Sequence, residues 1–161
     1  VTQPREPFKS ASGNLTVHQV PAWQDNLVWL IQYSETGDVA VVDGPDAGNV
    51  LAYCDDNGLT IRAILNTHTH PDHIGINNDL GKRGMLSELR VVGCGARADD
   101  VPGITEKVGD GDTVMLGDSI GTAILSEGHI NGHIAYLFED LLFCGRLALR
   151  QKHGKFRLLK C

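Results

Sequence analysis

The sequence predicts an α/β protein in which helices cover β-sheets. In the first half, short apolar runs rich in β-branched residues alternate with segments of helical periodicity. In the second half, short strand-like runs follow one another closely and are separated by turn residues. A length of 161 residues, with 42% hydrophobic and 21% charged residues, suits a soluble domain that can bury a core. We therefore expect a single domain over residues 1–161.

The first half is predicted to alternate between strands and helices. Strands are expected at residues 15–20, 26–33, 39–42, 61–65 and 89–92, and helices at residues 46–57 and from about residue 72 towards residue 81. The run at residues 39–42 has no polar position, which is typical of a strand covered on both faces. Gly58 suits the left-handed residue that ends a helix.

The second half is predicted to be mostly β. Strands are expected at residues 105–108, 113–116, 120–125, 134–138 and 141–143. Asp110-Gly111-Asp112 is typical of a hairpin loop, which would join the first two of these strands as a pair. Glu139-Asp140 fits a tight turn between the last two.

Composition excludes several classes of protein. A formal net charge of −6 argues against a nucleic-acid partner, because phosphate contacts need clustered Lys and Arg. No apolar run approaches the roughly 18 residues of a membrane-spanning helix, and residues 1–7 lack a signal-peptide layout. The four cysteines are far apart, so we expect reduced thiols. These features favour a cytoplasmic protein without nucleic-acid or membrane partners.

The stretch Asn-Thr-His-Thr-His-Pro-Asp-His-Ile-Gly, at residues 66–75, carries a dense group of metal-ligand side chains. Directly after a predicted strand it places His68, His70, Asp72 and His73 within six positions. Zinc, iron and manganese all accept such mixtures of imidazole and carboxylate. The sequence therefore predicts a metal site where this strand ends.

Two further residues are expected to shape this loop. Pro71 has a fixed φ and disfavours a helical conformation in the residue before it, so His70 is predicted to be extended. Gly75 has no side chain and would permit a close approach of backbone.

Four segments of the chain resemble one family. His68-Thr69-His70-Pro71-Asp72-His73 resembles the H-x-H-x-D-H signature of the metallo-β-lactamase fold superfamily. Residues 20–30, 41–45 and 127–133 resemble the opening strand pair, the strand and Asp before the first helix, and the G-H-T-x-G-H segment of glyoxalase II, the hydroxyacylglutathione hydrolases. The similarity covers about residues 15–143. It implies an αββα sandwich, with two mixed β-sheets and helices on the outer faces, that is incomplete at the C-terminus.

The resemblance also implies roles for individual residues. It implies that His68, His70 and His129 ligate one metal ion, and that Asp72 and His73 belong to a second. His70 and Asp72 would thereby be catalytic.

Four more positions have an expected place around the site or away from it. His133 matches a position near the metal that is not a ligand, and Asp43 either hydrogen-bonds a ligand histidine or is a simple turn carboxylate. Lys155 matches a glutathione-contacting lysine, although a solvated charge is an equal interpretation. His18 matches no functional position, so we expect a packed or surface histidine.

The chain departs from the family after residue 145. Arg146 stands where the family has an Asp that bridges both metals, and a guanidinium has no lone pair to offer a cation. Residues 147–153 also differ, and His153 is a candidate substitute ligand there. The family continues beyond the position of Cys161 with a further His ligand and a helical domain. We therefore expect a weakened second metal site and reduced activity.

The resemblance implies a metal-dependent hydrolase of glutathione thioesters, with one or two zinc ions per chain and iron or manganese as alternatives. The expected reaction converts S-lactoylglutathione and water to lactate and glutathione. One alternative is a mononuclear iron oxidoreductase of the persulfide dioxygenase type. Another is a non-catalytic metal-binding remnant, which could self-associate through apolar surface that the absent helices would cover.

Overall fold

The computed structural model describes residues 6–126, 130–145 and 157–159, which form two β-sheets and two α-helices. The strands are β1 Phe8–Lys9, β2 Thr16–Ala22, β3 Asn26–Gln32, β4 Asp38–Val42, β5 Thr60–Leu65, β6 Arg90–Cys94, β7 Glu106–Val108, β8 Thr113–Leu116, β9 Ser119–Leu125, β10 Ile134–Phe138, β11 Leu141–Phe143 and β12 Arg157–Leu159. The helices are α1 Gly48–Asn57 and α2 Pro71–Lys82, and short 3-10 helices occupy Leu86–Glu88 and Gly95–Asp100.

The larger sheet has seven strands in the order of the sequence, from β1 to β7. Strands β1 to β4 pair antiparallel, whereas β4, β5, β6 and β7 pair parallel. The parallel connections from β4 to β5 and from β5 to β6 contain α1 and α2, as expected for crossover connections. This arrangement brings the carboxyl ends of β4 and β5 to the same edge of the sheet, where the metal-ligand motif begins.

The smaller sheet has five strands in the order β12-β11-β10-β9-β8, with only the β11–β12 pair parallel. The predicted hairpin at Asp110-Gly111-Asp112 is wrong, because β7 pairs with β6 in one sheet and β8 pairs with β9 in the other. The loop instead joins β9 through the bonds from Gly111 N to Ala123 O and from Ala123 N to Asp112 O, each of 2.8 Å. It therefore carries the chain from one sheet to the other.

Two apolar layers hold the sandwich together. The facing sides of the two sheets bury one cluster, in which Trp29, Ile31, Tyr136 and Phe138 pack together. The other face of the larger sheet packs on the helices, with Val50 of α1 and Ile76 of α2 among the residues contributed. The run at β4 supplies both clusters in alternation, as expected for a strand covered on both sides. The predicted layers of sheets and helices are confirmed.

Most predicted elements are found within a few residues of their expected bounds, and β8, β10 and β11 match theirs. The short edge strands β1 and β12 were not predicted. Gly58 ends α1 with φ of 65°, as predicted. No helix in the described part of the chain is long and apolar enough to cross a membrane.

Two expectations about single side chains are also confirmed. His18 is packed inside the protein, with its Nδ1 2.8 Å from the Tyr53 hydroxyl and its Nε2 2.8 Å from Gln32 Oε1. Among the described residues, Cys54, Cys94 and Cys144 are buried, reduced thiols.

Candidate metal centre

The candidate site lies at the edge of the larger sheet where β4 and β5 end. Asp43 directly follows β4, and His68 and His70 follow β5. Asp72 and His73 lie in the first turn of α2. Because β4 and β5 are parallel neighbours, residues distant in sequence meet at one edge of the sheet.

The turn from β5 into α2 has the predicted geometry. His70 is extended, with φ of −65° and ψ of 147°, and Pro71 is the first residue of the helix. A Cβ added to Gly75 would lie 2.0 Å from the carbonyl oxygen of Pro45, so the predicted close approach of backbone at Gly75 is confirmed. The helix thus rests directly on the loop that follows β4.

Asp43 is the centre of a buried hydrogen-bond network. Its Oδ1 accepts the backbone N–H of Thr67 at 2.8 Å, and its Oδ2 accepts the Thr67 hydroxyl at 2.5 Å. The Nδ1 of His73 donates to the same Oδ2 at 2.9 Å. Asp43 adopts φ of 55°, a left-handed conformation that Asp tolerates better than most residues. Of the two interpretations of Asp43, these contacts favour an orienting role over that of a turn carboxylate.

The imidazole rings converge next to this network. The ring centroid of His68 lies 4.0 Å from that of His73 and 4.8 Å from that of His70. One ligand atom from each of Asp43, His68 and His73 lies within 4.8 Å of the others. The Nε2 of His73 is 3.5 Å from the Oδ2 of Asp72. Two ligands of a tetrahedral zinc ion are separated by about 3.3–3.5 Å, so this pair fits one ion.

The donor set also has suitable electrostatics for a cation. Burial on its own would raise the pKa of Asp43, but the neighbouring His73, with its hydrogen bond, and the bond from Thr67 hold that pKa below 3.8. Burial, reinforced by His73, lowers the pKa of His68 from 6.5 to about 3. At neutral pH an ionised carboxylate therefore lies behind a neutral imidazole, which is the protonation state that a metal ligand needs.

These shifts predict how acid affects the metal-free protein. In the unfolded chain His68 takes up a proton below pH 6.5, whereas in the folded chain it does so only near pH 3. The free energy of unfolding should therefore fall as pH decreases from 6.5 towards 3, by up to about 1.4 kcal/mol per pH unit from this residue. Asp43 lowers the free energy of unfolding further only below pH 3.8, where its carboxylate takes up a proton in the unfolded chain.

Urea denaturation of the metal-free protein at pH 7, 6 and 5 measures this effect. His68→Gln, which cannot take up the proton, should show a shallower pH dependence over this interval. An equal slope in the variant and the parent chain would contradict the assignment of a neutral buried His68.

His133 lies against the site from the smaller sheet. Its ring stacks on that of His68, with centroids 4.6 Å apart and planes 12° apart. The Nε2 of His133 lies 2.9 Å from the carbonyl oxygen of Cys144, to which it donates. This backbone bond holds the ring of His133 in its stacked position against His68.

Several predicted residues fall outside the described part of the chain. They are the third expected ligand of the first metal, the residue in place of the bridging Asp, the candidate substitute ligand and the glutathione-contacting lysine, namely His129, Arg146, His153 and Lys155.

The structure adds residues that sequence reasoning did not single out. Thr67 has no exposed surface and lies between Asp43 and His68, with its Oγ1 2.9 Å from His68 Nδ1. Asn26, at the start of β3, donates from Nδ2 to Oδ2 of Asp72 at 3.3 Å. The only signal in the sequence was the position of Thr67 beside the first motif histidine. Nothing local marks Asn26.

Comparison with known proteins identifies the family. The sequence profile of the Metallo-beta-lactamase superfamily matches residues 22–160. Hydroxyacylglutathione hydrolase 2 of Vibrio vulnificus (strain YJ016) is 42% identical over 131 residues, which are 81% of this chain and 50% of that protein. Hydroxyacylglutathione hydrolase of Hyphomonas neptunium (strain ATCC 15444) is 38% identical over 126 residues, or 78% of this chain and 48% of that protein. The chain thus spans about half the length of these curated relatives.

Solved structures share the fold. The B3 metallo-beta-lactamase BLEG-1 superimposes with a TM-score of 0.66 at 19% identity, covering 83% of this chain and 73% of that one. ETHE1 from Myxococcus xanthus gives a TM-score of 0.60 at 20% identity, covering 96% of this chain and 64% of that one. The profile match over residues 22–160, the 42% identity to hydroxyacylglutathione hydrolase 2 and this shared fold show that the chain belongs to the metallo-beta-lactamase superfamily.

Proposed function

We propose that this chain is a metal-dependent hydrolase of glutathione thioesters, of the hydroxyacylglutathione hydrolase type, with S-lactoylglutathione as its substrate. The observation that carries the proposal is the arrangement of the motif side chains. The ring centroids of His68 and His73 are 4.0 Å apart, and Oδ2 of Asp72 lies 3.5 Å from Nε2 of His73. The 42% identity to a hydroxyacylglutathione hydrolase supports the choice of substrate.

The residues divide into two sets of ligands in this proposal. His68 and His70 would hold one ion with His129, and Asp72 and His73 would hold the other. A bound zinc ion supplies a nucleophile from water at neutral pH and stabilises negative charge on a carbonyl oxygen. Iron and manganese are alternative occupants, since both accept imidazole and carboxylate.

The surrounding side chains hold these ligands in place. Asp43 accepts the Nδ1–H of His73, which leaves the Nε2 lone pair of that ring for a metal. Asn26 donates to Oδ2 of Asp72 and so restricts the rotation of its carboxylate. His133 covers one face of the His68 ring and excludes water from it.

Hydrolysis of a thioester does not require a strong general acid from the protein. A thiol has a pKa of about 8.5, so the glutathione thiolate departs without a strong general acid. The protein therefore has to position the thioester carbonyl and stabilise the charge that develops on its oxygen.

Metal analysis combined with an assay of S-lactoylglutathione hydrolysis tests the proposal. We expect about one tightly bound zinc ion per purified chain, slow hydrolysis, and loss of that hydrolysis when a chelator removes the metal. One iron with consumption of dioxygen would instead indicate a mononuclear oxidoreductase. A chain that binds no metal would be a non-catalytic remnant.

The Arg146→Asp variant tests the proposed weakness of the second site. We expect the substitution to tighten binding of a second zinc ion, because it replaces a cation with a bridging carboxylate. Titration of zinc against a chromophoric chelator measures this affinity, with Arg150→Asp as a control for the change of net charge. If both variants bind the second ion equally, Arg146 is not at the bridging position.

A further inference from the structure

Thr67 forms hydrogen bonds with two groups of the site, Asp43 and His68. Its hydroxyl lies 2.5 Å from Oδ2 of Asp43 on one side and 2.9 Å from Nδ1 of His68 on the other. Its backbone N–H donates to the second oxygen of the same carboxylate at 2.8 Å. Asp43 and Thr67 therefore form a rigid pair joined by two hydrogen bonds.

Counting protons assigns the direction of each bond. A carboxylate only accepts, and an O–H···O⁻ distance of about 2.5–2.7 Å is typical of a charge-assisted bond. The Thr67 hydroxyl therefore donates its one hydrogen bond to Asp43. Thr67 Oγ1 can then only accept from His68, and the proton between them belongs to His68 Nδ1. The reverse direction would leave two acceptor oxygens facing each other at 2.5 Å.

We propose that Thr67 is a positioning residue, whose hydroxyl holds His68 in the Nδ1–H tautomer so that its Nε2 lone pair is presented to the metal. This inference rests on the proposed function in so far as it assumes a metal at His68. Asp43 then orients two imidazoles at once, His73 directly and His68 through Thr67. One buried carboxylate thus sets the geometry of a ligand in each of the two proposed sets.

Packing around Thr67 encloses its hydroxyl. The side chain has no exposed surface, so bulk water cannot readily replace the hydroxyl. A Cβ added to Gly145 would lie 2.6 Å from Thr67 Oγ1 and 3.3 Å from His133 Nε2. The segment that follows β11 therefore covers the hydroxyl.

The test compares Thr67→Val, which keeps the shape and removes the hydroxyl, with Thr67→Ser, which keeps the hydroxyl. We expect the zinc affinity of the full chain to fall about 10- to 100-fold in Thr67→Val, as for other residues that orient metal ligands. Thr67→Ser should stay within about threefold of the parent chain, because it retains both bonds. Thr69→Val is the matched control, since Thr69 belongs to the same loop but contacts Arg97, with Nη2 of Arg97 3.3 Å from its Oγ1.

A second readout does not depend on metal. Long-range ¹H–¹⁵N NMR of the metal-free protein should show His68 protonated at Nδ1 in the parent chain and in Thr67→Ser, and a mixture of tautomers in Thr67→Val. An Nε2–H tautomer in the parent chain would overturn the inference even if Thr67→Val failed to fold. So would a folded Thr67→Val that binds zinc as tightly as the parent.

The two proposals fail in distinguishable ways. If the parent chain binds zinc and hydrolyses the thioester but Thr67→Val behaves identically, the positioning role is wrong and the function stands. If the parent chain binds no zinc at all, both the function and the presentation of His68 to a metal are wrong.

Discussion

Replacing Gly75 with alanine is expected to destabilise the protein by more than about 3 kcal/mol and to abolish tight metal binding. An added Cβ would lie 2.0 Å from the oxygen and 2.7 Å from the carbon of the Pro45 carbonyl, and both atoms are backbone. A flexible side chain could rotate away from such a clash, but the backbone of this loop cannot. The whole of α2 would have to move.

The loop and the helix are also tied by hydrogen bonds that such a movement would break. Gly44 donates its N–H to the carbonyl of His73 at 3.0 Å, and Ile76 donates to the carbonyl of Gly44 at 2.8 Å. Because Asp72 and His73 lie in the first turn of α2, a displaced helix would carry both away from Asp43. Stability and metal affinity should therefore be lost together.

Urea denaturation of the metal-free protein and zinc titration measure the two effects. Gly81→Ala is the matched control, since it lies in the same helix and its Cβ would meet only Leu86 Cδ2, at an ordinary 3.5 Å. That variant should gain about 0.5–1 kcal/mol, because alanine favours the helix. A Gly75→Ala protein within about 1 kcal/mol of the parent chain would show that the loop and helix are not in this close contact.

Asp43→Asn is expected to cost about 3–5 kcal/mol of stability and 10- to 100-fold in zinc affinity, although it changes only one atom of the side chain. Oδ1 accepts the N–H of Thr67, while Oδ2 accepts the Thr67 hydroxyl and His73 Nδ1–H. An amide must direct its NH₂ towards one of these sides, and donors are present on both. At least one donor is then left facing another donor in a buried position.

The choice of asparagine isolates this effect from backbone strain. Asp43 has φ of 55°, and asparagine tolerates that conformation about as well as aspartate does. Asp46→Asn is the matched control from the same loop, since Asp46 also accepts a bond on each oxygen, from Trp23 Nε1 and Gly48 N, but both bonds are exposed to solvent. We expect that control to change stability by less than about 0.5 kcal/mol. Equal behaviour of the two variants in denaturation and zinc titration would remove Asp43 from its central role.

The strands could largely be predicted because their patterns are local. Residues 39–42 of β4 are an uninterrupted apolar run and β10 is bounded by turn residues, so periodicity and composition are sufficient for both. The partner of each strand could not be predicted in the same way. The loop at residues 109–112 resembles a hairpin loop locally, yet β7 pairs with β6 and β8 pairs with β9. Pairing depends on the sheet in which each strand is buried, and a short turn sequence does not indicate which sheet that is.

The candidate site likewise has a part that the sequence reveals and a part that depends on the fold. The dense group of His68, His70, Asp72 and His73 marks a metal-ligand motif in the sequence itself, because ligand chemistry and spacing are properties of the chain. Asp43, 24 residues from Thr67 and 30 from His73, reaches them only because β4 and β5 are parallel neighbours whose carboxyl ends meet. The sequence therefore determined which side chains could hold a metal. The tertiary structure decided between the two interpretations of Asp43 and added the Thr67 hydroxyl, since a hydrogen bond depends on distance and direction in space.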